Sequence, residues 1–256
     1  MANFLCSTNI LLLLTAIPIA IIITLESATP TTHYYQFHSS GWMRESSKWD
    51  EVNRRFIVSL TDTGGLGVVH VPDDHNPNVV LEEISVVKNT GNGTCGVFID
   101  RARNRVLVAV SDVFGNSYSA VAAYDLDSWK RLFFTHLTSS AGGGKTFAND
   151  VTVDAEGNAY VTDVKVTVVK VDGKLALADG LELLSPTKLV VAGANGVKLV
   201  ETDDDWLTAS VVGRSPVIKH RIATAATVKD GKVYINHALG MGYPKKKHVF
   251  VEAAFT

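Results

Sequence analysis

Disulfides, helical periodicity and net charge are all scarce in this sequence. Its 256 residues hold two cysteines, Cys6 and Cys95. Cys6 lies in an apolar leader, so the mature chain keeps Cys95 alone and no internal disulfide is possible. A solitary cysteine of this kind reads as a small buried hydrophobe rather than a reactive thiol. Lys and Arg total 24 against 26 for Asp and Glu, a formal net charge of −2. That balance argues against nucleic acid as the main partner and leaves small molecules and proteins. No long stretch repeats apolar residues at the helical period. A Gly-x-Ser-x-Gly elbow, a zinc-binding histidine pair and a dinucleotide fingerprint are missing too. The run Ser139 to Thr146 ends like a phosphate loop. Ser139, however, stands where the first glycine is needed, and a strand-like phrase follows where a helix should begin.

What is present is a repeated phrase. Phe147-Ala148-Asn149-Asp150-Val151-Thr152-Val153-Asp154 leads through Gly157-Asn158 to Ala159-Tyr160-Val161-Thr162-Asp163. Alternating Val and Thr make a half-buried strand, and Gly-Asn supplies the turn. Variants of this hairpin run from Glu45 to Asp62, from Cys95 to Asp112, from Asp179 to Val191 and from Thr224 to Ile235. A spacing of ~40–50 residues is that of propeller blades, so the expected fold is all-β, with radially packed sheets. In such a fold the first residues of equivalent inner strands meet at one rim of the axis. Those residues are Glu45, Cys95, Asn149, Asp179 and Thr224. Three of the five are oxygen donors suited to a hard cation such as calcium. Asp and Asn also occupy turns before strands for purely conformational reasons, and both readings stand at this point.

The leader is Ile10 to Leu25, almost wholly apolar. Its length suits a signal-peptide core better than a membrane span of about 20 residues. Met1 to Asn9 carries no Lys or Arg, and Glu26-Ser27-Ala28 is an imperfect cleavage neighbourhood. The expected organisation is a signal peptide or retained anchor at 1–28 and one β domain at 29–256. Either form sends the body into the secretory pathway: the endoplasmic reticulum lumen, the vacuole or the outside of the cell. There the sequon Asn92-Gly93-Thr94, in a polar Gly-rich loop, becomes a glycosylation site.

Several segments together resemble the plant branch of the gluconolactonase, strictosidine-synthase-like and paraoxonase superfamily, often called calcium-dependent phosphotriesterase-like. They are Met43-Arg44-Glu45…Lys48-Trp49-Asp50, Phe98 to Asp112 with Asn104-Arg105, Ala120 to Leu126, Phe147 to Asp163, Asp179 to Gly193 and Ala223 to Glu252. The resemblance implies a six-bladed propeller with calcium on its axis, held here by Glu45, Asn149 and Asp179. One departure is large. After Asp163 the family continues through the rest of that blade and most of another, which carries a Leu-Asn-Gly signature with a further ligand Asn. Here Lys165 runs directly into Val166 to Val171, which looks like the end of the following blade. Relative to the family more than one blade-length is absent, so the expectation is an incomplete propeller, about five blades or an open ring. Exposed strand edges near Asp163 to Lys170 would then favour self-association.

The resemblance implies a calcium-dependent hydrolase of lactones, esters or phosphotriesters, with Asp150 orienting water or acting as base. The missing segment puts the activity of this shortened chain in question. One alternative is a non-catalytic secreted propeller that binds a protein or a small molecule. Another is the condensation chemistry of strictosidine-synthase-like relatives, which needs a glutamate base that cannot be placed here. His220 and His237 are further candidate bases near the channel, read first as structural. Pro244-Lys245-Lys246-Lys247-His248 reads as a solvated turn before a last strand at Val249 to Val251.

Overall fold

The computed structural model describes residues 14–24, 30–88, 90–113, 115, 118–137, 146–162, 170–172, 175, 177–204, 206, 208–218 and 220–256. It divides into two units, Met1–Thr31 and Thr32–Thr256. In the first, residues 14–24 are helical. Among the described residues, no helix is long and apolar enough to cross a membrane. Residues 138–145 and 163–169, where most of the phosphate-like loop and of the expected free edge fall, lie outside the described residues.

The second unit is built of strands. β1 (Tyr34–Ser39) is followed by a first meander, β2 (Ser47–Asp50), β3 (Arg55–Ser59), β4 (Gly65–His70) and β5 (Leu81–Lys88). A second meander comprises β6 (Gly93–Asp100), β7 (Arg105–Ser111), β8 (Ser119–Asp125) and β9 (Arg131–His136). A lone hairpin follows, β10 (Val151–Val153) and β11 (Ala159–Val161), then β12 (Lys170–Asp172). The next meander is β13 (Ala178–Ser185), β14 (Lys188–Gly193), β15 (Val197–Glu201) and β16 (Thr208–Ser215). The last strands are β17 (Ala223–Lys229), β18 (Lys232–His237) and β19 (Lys246–Glu252). β1 pairs antiparallel with β19 from Tyr34↔Val251 to Ser39↔Lys246, so the first strand completes the last sheet. A short parallel contact, Phe37↔Leu81 and His38↔Glu82, joins that sheet to the first meander. The arrangement is propeller-like, a succession of small twisted antiparallel sheets closed by the chain's own beginning.

Burial shows how the sheets stack. β3 and β8 are buried almost throughout, because sheets cover both of their faces. Tyr35, Phe37, Trp49, Phe56 and Phe250 fill the joint between the last sheet and the first. Ile57, Leu66 and Val68 meet Val97, Val106 and Val108 at the next joint. Leu107, Val121 and Ala123 pack on Val151. Val190 and Val197 pack on Ala223, Ala226 and Ile235. Among the described residues, no such core joins β10–β11 to β13–β14; a cavity lies there instead.

Two further points correct the sequence reading. Val166 to Val171 was expected to end a blade, yet β12 pairs in parallel with β16, Lys170↔Thr208 to Asp172↔Ser210, as a fifth strand on that sheet. A pairing on the outer edge of β16 satisfies its backbone without any contribution to β10–β11. The last strand begins at Lys246, and His248 is fully buried within it rather than in a solvated turn. Its partner β1 carries the pairing down to Ser39 and so draws the lysines into the ladder.

The hairpin tips opposite the entrance rim are tied by arginines. Asp50 faces Arg55 across β2–β3, and Asp100 faces Arg105 across β6–β7. Each arginine bonds its own aspartate, at 2.9 and 2.8 Å, and donates onward to the next sheet. Arg55 reaches Leu126 O at 2.7 Å and Arg105 reaches Gly157 O at 2.8 Å. Arg101 returns to Asp50 from the second sheet. At β10–β11 the register Val153↔Ala159 sets Asn158 opposite Asp154. There the Asp154 carboxylate takes up bonds within its own hairpin, from Gly157 N, Asn158 N, Asn158 Nδ2 and Tyr160 OH.

Candidate functional site

The five entrance residues begin, or lie just before, the inner strands, and glycines let those strands approach. A side chain at Gly96 would collide with Asp150, and one at Gly180 would collide with the Thr224 carbonyl. Gly96 N donates to Asn149 O at 2.7 Å, which holds β6 against the 149–150 segment. Asn149 N donates in turn to Thr162 O at 3.2 Å.

Glu45 is the most buried of the acids here, 7% exposed. Its N–H donates to Thr61 Oγ1 at 3.0 Å. Its carbonyl accepts from Asn236 Nδ2 at 3.0 Å, and the same amide reaches Arg44 O at 2.7 Å and Thr224 Oγ1 at 3.0 Å. Asn236 thus pins two of the entrance positions. Sequence reasoning missed it, although a polar Asn-His pair ending the apolar run Val233-Tyr234-Ile235 marks it. Glu45 Oε2 is buried without a hydrogen-bond partner, an arrangement that native proteins seldom leave unexplained.

The acids gather around this atom. Burial pushes the Glu45 carboxyl well above its ordinary range, and Asp179 and then Asp150 push it further. Asp150 is raised by burial, against the pull of Lys48. Asp179 is raised by burial and is opposed by the Asn149 amide, whose Nδ2 lies 3.5 Å from Asp179 Oδ1. The Cys95 thiol, nearly fully buried, is raised by burial and then by Glu45, Asp179 and Asp150. It is the inert hydrophobe that the sequence suggested, with no route to a thiolate. Lys48 bonds Glu182 and also reaches Ala226 O at 3.3 Å.

The carboxyls of Glu45, Asp150 and Asp179 are therefore electrostatically coupled, with the Asn149 amide against Asp179. Among the described residues, no three His, Cys, Asp or Glu side chains cluster tightly enough to hold a metal unaided. His237 is not with the acids. It is buried, accepts from Ile218 N at 3.4 Å, and burial lowers its pKa to about 4. Asn92 is half-buried and lines a separate polar cleft of about 490 Å³ with Thr61, Asp62 and Asp112.

No protein-family model matches the chain, and no curated protein matches it. Solved structures do. The chain is similar to the major allergen Mala s 1 of Malassezia sympodialis, with a TM-score of 0.60 and 13% identity over 89% of this chain and 97% of that one. That likeness shows a shared fold. A luciferin-regenerating enzyme aligns with a TM-score of 0.46 and 13% identity over 87% of this chain and 80% of the other. An exo-β-1,3-galactanase from Clostridium thermocellum aligns with a TM-score of 0.49 and 11% identity over 86% of this chain and 64% of the other. Neither of these two likenesses bears on function.

Proposed function

We propose that this chain is a propeller of the calcium-dependent phosphotriesterase-like type, with four full blades and one half blade, β10–β11. In this reading it keeps the remnant of an axial calcium site and has little hydrolase activity. The observation that carries the reading is Glu45 Oε2, buried and unpartnered in a carboxyl coupled to Asp179 and Asp150, with the Asn149 amide against Asp179. Two carboxylates and an amide oxygen are the donor chemistry of a hard cation, so the residues present fit calcium. Glu45, Asn149 (with its amide oxygen turned inward) and Asp179 would hold it. A bound ion would supply Lewis-acid polarisation of a carbonyl or phosphoryl oxygen.

The chain's own groups set the limits of that chemistry. Calcium takes about six to eight oxygens, and three side chains leave much of the shell to water. Asp150 lies beside the ligands as the candidate base. Its carboxyl accepts from Val151 N at 2.8 Å, which leaves its second oxygen for a water. The substrate classes are lactones, esters or phosphotriesters. The rival non-catalytic reading draws on the half blade, which leaves one flank of the site open.

Calcium titration tests this. We expect binding in the range of weak extracellular modules, about 0.1–1 mM, with little calcium-dependent turnover of lactone or aryl-ester substrates. Glu45→Gln should abolish the binding and raise the melting temperature of the metal-free protein, because a desolvated carboxylate is replaced by a neutral amide. Unchanged calcium binding in that variant would sink the site. Micromolar binding with turnover would show a working enzyme.

We further propose passage through the endoplasmic reticulum with a glycan on Asn92. A protein made in a eukaryotic host should shift on glycosidase treatment, and Asn92→Gln should remove the shift. Lumenal protein without a shift would refute the glycan, and cytosolic protein the compartment.

A further inference from the structure

We propose that the cavity between β10–β11 and β13–β14 binds a small apolar molecule ending in a hydrogen-bond donor, a hydroxyl or an amine. The cavity measures about 400 Å³, toward the lower end of the range that holds drug-sized ligands, about 300–1,000 Å³. Phe98, Val161 and Leu189 give it apolar walls, and Lys48, Asp150 and Glu182 its charged lining; of the hydroxyls of Thr152, Tyr160 and Thr162 that also line it, Tyr160 donates to Asp154 and Thr162 to Asp150 O. Apolar walls with a few convergent polar groups are the usual make-up of a small-molecule site.

The fold explains why the space exists. At the other joints described above, a buried apolar cluster fills the interval between neighbouring sheets. Here the half-sized β10–β11 leaves part of the interval unfilled, and Leu183 on its lip is 59% exposed. The charges select the ligand's polar end. The Lys48 ammonium is bound to Glu182, so the lining carries two carboxylates against one ammonium. Its unmatched capacity is to accept hydrogen bonds. A donor head fits, and a carboxylate or phosphate head is repelled. The site opens between sheets and needs no metal, and although it shares Asp150 with the axial reading it does not depend on calcium being held there.

The test uses the full mature chain in chelator, so that failure of calcium binding does not enter. The probe is N-phenyl-1-naphthylamine, neutral and apolar with one N–H, followed by its fluorescence. We expect saturable binding of one probe per chain. Leu183→Trp should weaken it at least tenfold by filling the cavity, and Leu181→Trp, also exposed and also lining it, should do the same. Leu132→Trp, on the exposed face of β9 and outside the lining, should leave it unchanged. 1-Phenylnaphthalene, which lacks the N–H, should bind about tenfold more weakly, the worth of one hydrogen bond to a charged acceptor. No saturable binding, or equal effects of the cavity and control substitutions in folded protein, would overturn the site. Equal affinities for the two probes would overturn the donor head.

Discussion

Arg44→Ala is expected to cost about 3–5 kcal/mol of folding stability, the usual penalty for removing one partner of a buried ion pair. Arg44 is fully buried. Its Nε donates to Glu83 Oε2 at 2.6 Å and its Nη2 to Glu83 Oε1 at 2.9 Å, a two-pronged fork. Its Nη1 donates to Asp62 Oδ1 at 2.8 Å and to Met43 O at 2.7 Å, and its Nη2 also bonds Ser39 Oγ. One side chain therefore binds β1, β5 and the segment that carries Glu45. Without it, two nearly buried carboxylates face each other with no compensating charge. Urea denaturation will measure the loss. Adding Glu83→Gln to the alanine variant should recover part of it, because the stranded charge is gone. Arg44→Lys should remain well below wild type, since an ammonium cannot span both acids. A loss under 1 kcal/mol for Arg44→Ala would contradict this account.

The second large effect is acid instability from His237 and His248. Burial lowers both from 6.5 to about 4, Arg221 adding to the effect at His237 and Arg44 at His248. The unfolded chain binds protons at these sites near pH 6.5 and the folded chain only near pH 4. Stability from the neutral rings is complete above about pH 6.5 and is lost as pH falls toward 4. At about 1.4 kcal/mol per unit of pK difference, each ring should withdraw about 2–3 kcal/mol between pH 7 and 4.5. The buried acids act in the opposite sense. Glu45, Asp150 and Asp179 have raised folded values, so their penalty is present at neutral pH and eases as pH falls into their range. Comparing His248→Gln with wild type isolates the ring: the gap between the two stability curves should narrow by that amount on acidification. Proton resonances of the two imidazoles should not titrate above about pH 5. Titration near 6.5 in the folded protein would refute the burial argument.

Much of the fold was legible because a two-residue alternation and a recurring hairpin are local signals. Glu45 to Asp62 became β2–β3, Cys95 to Asp112 became β6–β7, and Thr224 to Ile235 became β17–β18. The pairing of the first strand with the last was not legible. It joins Tyr34 to Val251, and nothing local in either strand names its partner. At the candidate site, Glu45, Asn149 and Asp179 were legible as a group because they share one phase of the repeat, and Asp150 came in as the neighbour of Asn149. Asn236 was missed because it belongs to a second strand, outside that phase. The burial of His248 was hidden by three preceding lysines, a charge run that ordinarily marks solvent. The parallel pairing of β12 with β16 was beyond reach for another reason: three residues carry too little pattern to choose an edge.

The arginine ties between hairpin tips bear on how this chain tolerates changes of length. Arg55 and Arg105 each fasten one tip to the backbone of the next sheet, so a residue added or lost there would displace two sheets at once. Asn158, facing Asp154, bonds it instead, so the Asp154 carboxylate serves its own hairpin, held down to about 2 by bonds led by the Asn158 side chain. Among the described residues, a change of length after β11 therefore strains none of these arginine ties. Insertions and deletions settle where few contacts cross, and this joint is such a place.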